Sequence, residues 1–103
     1  MITEVPLTGI VPASGSISLT IRPRARQTWV VSQVGIRAPS VGGGAVGNIT
    51  KNGMIITPFV ATGDAPAGDP PITLQSGDRM SAEWTAAVAG ARVEANFIYD
   101  DGT

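Results

Sequence analysis

Apolar and polar residues alternate along most of this chain with a period of two, the repeat of an extended strand whose successive side chains point to opposite faces. Ser16-Ile17-Ser18-Leu19-Thr20-Ile21 alternates without a fault, placing Ile17, Leu19 and Ile21 on one face and three hydroxyls on the other. Met80, Ala82 and Trp84 alternate in the same way with Arg79, Ser81, Glu83 and Thr85, and Val93, Ala95, Phe97 and Tyr99 with Arg92, Glu94 and Asn96. The stretch from Gln27 to Ile36 is denser. Trp29, Val30, Val31, Val34 and Ile36 fall on both faces, as expected of a strand in the middle of a packed sheet.

Glycine and proline punctuate these segments, with 13 and 8 copies spread through 103 residues, and no segment carries a helical period. Lys51-Asn52-Gly53 separates Val46–Thr50 from Met54–Val60, and Asn-Gly between two β-prone segments predicts a hairpin, because both central residues of a type I′ turn need positive φ. Pro58, which donates no ladder hydrogen bond, marks the second arm as an edge or a bulge. Residues 61–71 read Ala-Thr-Gly-Asp-Ala-Pro-Ala-Gly-Asp-Pro-Pro, a long ordered loop. With a first strand around Ile2 to Leu7, the count is about eight short antiparallel strands, which predicts an all-β fold, a single jelly-roll-like β-sandwich filling residues 1–103. Residues 1–12 form either its edge strand or an extended N-terminal arm that adds to a neighbour's sheet.

Composition narrows the function. Charged residues make up only 15% of the chain against 43% hydrophobic, so part of the surface is neutral or apolar and suits a covering partner. Seven basic and eight acidic residues cancel almost completely, which removes the long-range attraction on which nucleic-acid and anionic-membrane binders rely. The N-terminal residues lack the features of a secretion signal, and no apolar run reaches membrane-spanning length. The expectation is a protein made in the cytosol, with no nucleic acid or membrane partner.

Histidine and cysteine are both absent, which deletes the commonest general base, imidazole-dependent triads, thiol nucleophiles and nearly all zinc sites. A carboxylate pair would have to come from acids such as Glu83 and Glu94, which the alternation places on polar strand faces as partners for Arg79 or Arg92. The expectation is a protein that is not an enzyme and needs no cofactor. Asp64 and Asp69 are the candidates for a calcium site, although their Thr-Gly-Asp and Gly-Asp-Pro settings are ordinary turn chemistry and their spacing matches no calcium loop. Arg22, Arg24 and Arg26 gather three of the seven basic residues at one turn, fit for a solvated turn or an interface ion pair. Trp29 and Trp84 sit in regular apolar patterns as core residues; the alternative is a platform on which a glycan stacks.

The segment Trp29-Val30-Val31-Ser32-Gln33-Val34, the Asn52-Gly53 turn, the loop from Thr62-Gly63-Asp64 to Gly68-Asp69-Pro70-Pro71-Ile72, Leu74-Gln75-Ser76-Gly77-Asp78, Trp84 and Tyr99-Asp100 together resemble small all-β virion proteins of tailed phages, especially those of actinobacterial hosts. The resemblance covers about two-thirds of the chain. It implies a structural protein of the virion, either a minor tail or tail-tip component or a capsid decoration protein, that contacts other virion proteins and forms a homo-oligomer. The expected interface residues are Ile2, Val5, Leu7 and Ile10 of the N-terminal segment, Arg22, Arg24 and Arg26, and the loop acids Asp64 and Asp69. The competing expectation is a carbohydrate-binding module for host attachment, built on the loop at 61–71 and an exposed tryptophan.

Overall fold

A computed structural model describes residues 1–61, the backbone of residues 65 and 66, and residues 71–103. The described residues form nine β-strands: β1 (Ile2–Ile10), β2 (Ile17–Ile21), β3 (Trp29–Arg37), β4 (Val46–Lys51), β5 (Met54–Phe59), β6 (Ala65–Pro66), β7 (Ile72–Leu74), β8 (Met80–Thr85) and β9 (Arg92–Asp100). They form two antiparallel sheets. One runs β1-β9-β3-β6, with β7 also paired to β3, and the other runs β2-β8-β4-β5. Among the described residues no helix is long and apolar enough to cross a membrane.

The pairing has one simple logic. Ile2 faces Asp100, Ile17 faces Trp84, Trp29 faces Leu74 and Lys51 faces Met54, so each residue meets a mate about as far beyond Asn52-Gly53 as it lies before it. The chain is one long hairpin folded at its midpoint and rolled up, which is the jelly-roll arrangement. Rolling adds two further pairings, β9 on β3 and β8 on β4, that close the sheets.

At the tip of that hairpin Asn52 has φ 54° and Gly53 φ 84°, the two left-handed residues that a type I′ turn requires. The turn is stitched to the one between β7 and β8. Asn52 N–H donates to the Arg79 carbonyl at 2.9 Å, and its side-chain oxygen accepts from Arg79 N–H at 2.9 Å. Its amide nitrogen donates to Asp78 at 3.0 Å, while the other Asp78 oxygen accepts from Gln75 N–H at 2.9 Å. The Asn52 hydrogen bond, then that of Gln75, then the nearby Lys51 charge hold the Asp78 carboxyl below its ordinary value.

The core lies between the sheets and follows the strand alternation. Val93, Ala95, Phe97, Met80, Ala82 and Trp84 are fully buried. Trp84 anchors a row that crosses one sheet. Ile17 stands on one side of it and Gly47 on the other, with Phe59 beyond Gly47. Phe59 lies down across Gly47 to meet Trp84 edge-on, with ring centroids 5.3 Å apart. A Cβ at residue 47 would fall 2.2 Å from the Phe59 ring, so the backbone there has room for hydrogen alone. The Trp84 indole N–H is satisfied by the Ala61 carbonyl at 3.0 Å.

One sequence expectation changes. The dense strand at Trp29–Ile36 is not buried on both faces: Val31, Val34 and Ile36 are buried, but Val30 is exposed. A bulge at Ser32, between the Val31 and Gln33 pairings, inserts one residue and returns Val34 to the inner face three positions after Val31. Of the two alternatives for residues 1–12, the edge strand is the one the structure shows. β1 pairs with β9 over nine residues as the edge of its own sheet, and Pro6 is tolerated there because an edge strand has one side free of ladder bonds. The expected loop at 61–71 contributes the short β6, placed against Gln33 and Val34; residues 62–64 and 67–70 lie outside the described part.

Replacing Asn52 by Gly keeps the turn geometry but orphans the Arg79 N–H, and is expected to lower the unfolding free energy by about 1 kcal/mol in urea titration. Asn52→Asp, which sets a carboxylate against Asp78, destabilises more than the glycine. Because the Asp78 carboxyl is depressed in the folded chain, its contribution is complete above the unfolded carboxylate value of about 3.9 and is lost as pH falls through the folded one. Urea midpoints measured from neutral pH down through this range fall more steeply for the natural chain than for Asn52→Gly, and equal slopes would show that the turn clip contributes nothing. Gly47→Ala forces the Phe59 ring off Trp84 and is expected to cost about 1–3 kcal/mol, of which adding Phe59→Ala recovers nothing beyond the clash itself.

Candidate interaction surfaces

The two sheets turn very different outer faces to solvent. Across the five-stranded sheet the outward rows are Ile2–Asp100–Val30, Glu4–Ile98–Gln33, Pro6–Asn96–Gly35, Thr8–Glu94–Arg37 and Ile10–Arg92. Glu4, Arg37, Arg92, Glu94 and Asp100 place charge throughout this face. Across the four-stranded sheet the outward rows are Ser18–Glu83–Asn48–Pro58, Thr20–Ser81–Thr50–Ile55 and Thr85–Val46. Glu83 is the only charge in those rows, and it accepts a hydrogen bond from Ser18 at 3.3 Å.

On this second face several polar groups are already paired with each other. Thr20 and Ser81 hydroxyls bond to each other at 2.8 Å, and Ser81 and Thr50 are buried although they point away from the core. Beside them β5 leaves large apolar side chains uncovered. Ile55 is 65% exposed and Val60 69%, with Ile56 and, on β4, Val46 exposed as well; Met54, 75% exposed, stands in the row of Lys51 and Met80, at the end of the sheet's inward side. A neutral, hydrogen-bonded strip bordered by aliphatic groups loses little when water is removed from it. Arg22 and Arg79 stand past the ladder's end, as a polar rim.

The residues expected at an interface are divided by the fold. Ile2 and Ile10 point outward and are exposed, whereas Val5 and Leu7 point inward and pack against the core, so the alternation of β1 commits half of that set to the chain's own interior. Arg22, Arg24 and Arg26 are all exposed, and none forms an ion pair among the described residues. Arg26 has φ 67° in the turn closed by Gln27 N–H on the Arg24 carbonyl. Asp64 and Asp69 lie outside the described residues. The β5 cluster of Met54, Ile55, Ile56 and Val60 was not singled out from the sequence, where it reads as the ordinary apolar arm of a hairpin.

The charged face carries two shallow depressions that share Arg37 and Glu94. One, of about 300 Å³, is floored by Gly35, Asn96 and Pro6; the other, of about 240 Å³, adds Pro39, Ser40 and Arg92. Glu94 is engaged by Arg92 at 3.3 Å along the same strand. Glu83 and Glu94 lie on the outer faces of opposite sheets, so they cannot flank one substrate as a carboxylate pair. Elsewhere, Asp100 is held below its ordinary value by a hydrogen bond from Gly102 N–H and then by the Met1 ammonium, and burial raises Tyr99.

Neither tryptophan presents an open ring. Trp84 is fully buried, and Trp29 is 7% exposed with Tyr99 stacked on it at a centroid distance of 4.0 Å and an interplanar angle of 13°. Its indole N–H is taken by the Gln27 side chain at 2.9 Å. The glycan platform proposed for these residues is therefore occupied by the protein itself.

No family model matches this chain, and no curated protein matches it. Among solved structures it is similar to the crystal structure of dimeric latent PorU from Porphyromonas gingivalis, at 13% identity and a TM-score of 0.34. That match covers 96% of this chain but 13% of the other.

Tryptophan fluorescence checks the burial of both indoles. The expected emission is blue-shifted and resists acrylamide until the chain unfolds; a red, readily quenched component in the folded protein would mean that one indole lies open.

Proposed function

We propose that this chain is a non-enzymatic structural protein of a phage particle, a minor tail or capsid decoration component that acts through protein–protein contacts. The observation that carries the reading is the inequality of its two outer faces. A sheet surface that bears a single charged residue in its ladder rows and leaves Ile55, Ile56, Val60 and Val46 uncovered favours a covering partner, while the charged surface opposite suits solvent. The rolled-hairpin topology agrees with the reading, since viral capsid domains use it, although lectins and cupins do as well. The resemblance of the turn and aromatic pattern to small phage virion proteins points the same way. Arg22 and Arg79 would sit on the rim of the contact. Nothing in the described surface favours a glycan over a protein, because the aromatic faces that would stack on sugar are enclosed.

The test is composition of purified particles. Particles from cells that make this protein should retain it at fixed stoichiometry through gradient purification, and antibody against it should label one location, tail or capsid. Its complete absence from washed particles rejects the assignment.

A further inference from the structure

Resting on that reading, we propose that the neutral face of the four-stranded sheet closes against the same face of a second copy of this chain about a two-fold axis, by side-chain packing and not by adding strand to strand. Three observations select this occupant and this mode.

The first concerns the free edge of β5. Strand addition needs an unbroken row of donors and acceptors, but the β4–β5 register shifts between Ile49 and Thr50, and Pro58 removes an N–H from the strand. Both features blunt an edge while leaving its side chains in place. Ile55 and Pro58 are partnered by Thr50 and Asn48, which sets them on the outward face, available to a surface laid on top.

The second is charge. In a two-fold contact each residue near the axis meets its own twin, so any charge there is opposed by a like charge. The face toward β5 has none: its ladder rows offer Asn48, Thr50, Ser81, Ile55, Pro58 and Val46, and Glu83 belongs to the next strand, held by Ser18. The opposite sheet mixes Glu4, Glu94 and Asp100 with Arg37 and Arg92, so closing it on a copy would mean desolvating or re-pairing those charges, a cost the neutral face does not carry.

The third is area. Ile55, Ile56, Val60 and Val46 together leave roughly 400 Å² of largely apolar surface exposed on each copy, about half of the about 800 Å² that each side of a standard interface buries. The flanking hydroxyls supply the remainder at little desolvation cost, because Thr20 and Ser81 already bond to each other.

Sedimentation velocity on the purified chain over a range of micromolar concentrations is the experiment, run with Ile55→Lys, Val60→Lys and, on the charged face, Thr8→Lys. All three positions are exposed, so the variants should melt with the natural chain, and having two on the proposed face guards against one of them misfolding. The natural chain and Thr8→Lys are expected to be dimers, with Ile55→Lys and Val60→Lys weakening dimerisation at least tenfold. A natural chain that stays monomeric throughout, a dimer indifferent to both face variants, or one broken equally by Thr8→Lys overturns the proposal. The outcomes separate it from the particle assignment: a monomer whose Ile55→Lys form drops out of particles defeats only the self-contact. A dimer that particles never contain defeats only the assignment.

Discussion

The left-handed pair Asn52-Gly53 is the constraint on which the rest of this fold depends. Every strand before it is matched to one after it at nearly equal distance, so the position of that turn determines which residues meet in the outermost pairing of Ile2 with Asp100 as well as beside the tip. A shift of one residue at the tip would turn each following strand over and send its apolar face to solvent. The hydrogen bonds from Asn52 to Arg79 and Asp78 guard against that slip by tying the tip to a second turn, and they do so with side-chain groups that glycine, the other residue suited to the backbone, does not possess.

Inside the roll, two aromatic contacts set how the sheets fill. Phe59 reaches Trp84 only because residue 47 has no side chain, and Trp29 is capped by Tyr99 across the β3–β9 pairing. Enclosing both indoles in this way uses up the surface that a sugar would have needed. The large exposed aliphatic groups lie on the other side of the sheet, along β5, its edge strand among the described residues. The interior and that outer surface share one strand: Phe59 packs toward Trp84, while Ile55 and Pro58 face out.

Most of the architecture was legible in the residues. Three strands alternate plainly, and Asn-Gly between apolar segments announces its hairpin. The misreading has a specific cause. At Trp29–Ile36 the Ser32 bulge places three apolar residues on one face at a spacing that simple alternation would split between two, so a half-buried strand reads as fully buried. At the N-terminus the residues leave two alternatives open: Ile2 and Ile10 belong to one face and Val5 and Leu7 to the other, but the strand's partner lies more than eighty residues away, which no local pattern reports. The neutrality of one outer face was invisible for a related reason. It is assembled from β2, β8, β4 and β5, which lie far apart in the chain, and it appears only once their register is known.

A hairpin rolled from its midpoint also has an order in time. Only β4 and β5 are joined by a tight turn, and every other pairing closes a longer loop, with β1 and β9 the most distant. The entropy of closing those loops is smallest if pairing starts at Asn52-Gly53 and zips outward, and larger if it starts elsewhere. The chain's two ends are therefore the last to join and the first to part. Amide hydrogens should exchange along a gradient, fastest beside Ile2 and Asp100 and slowest in the strands that flank the tip.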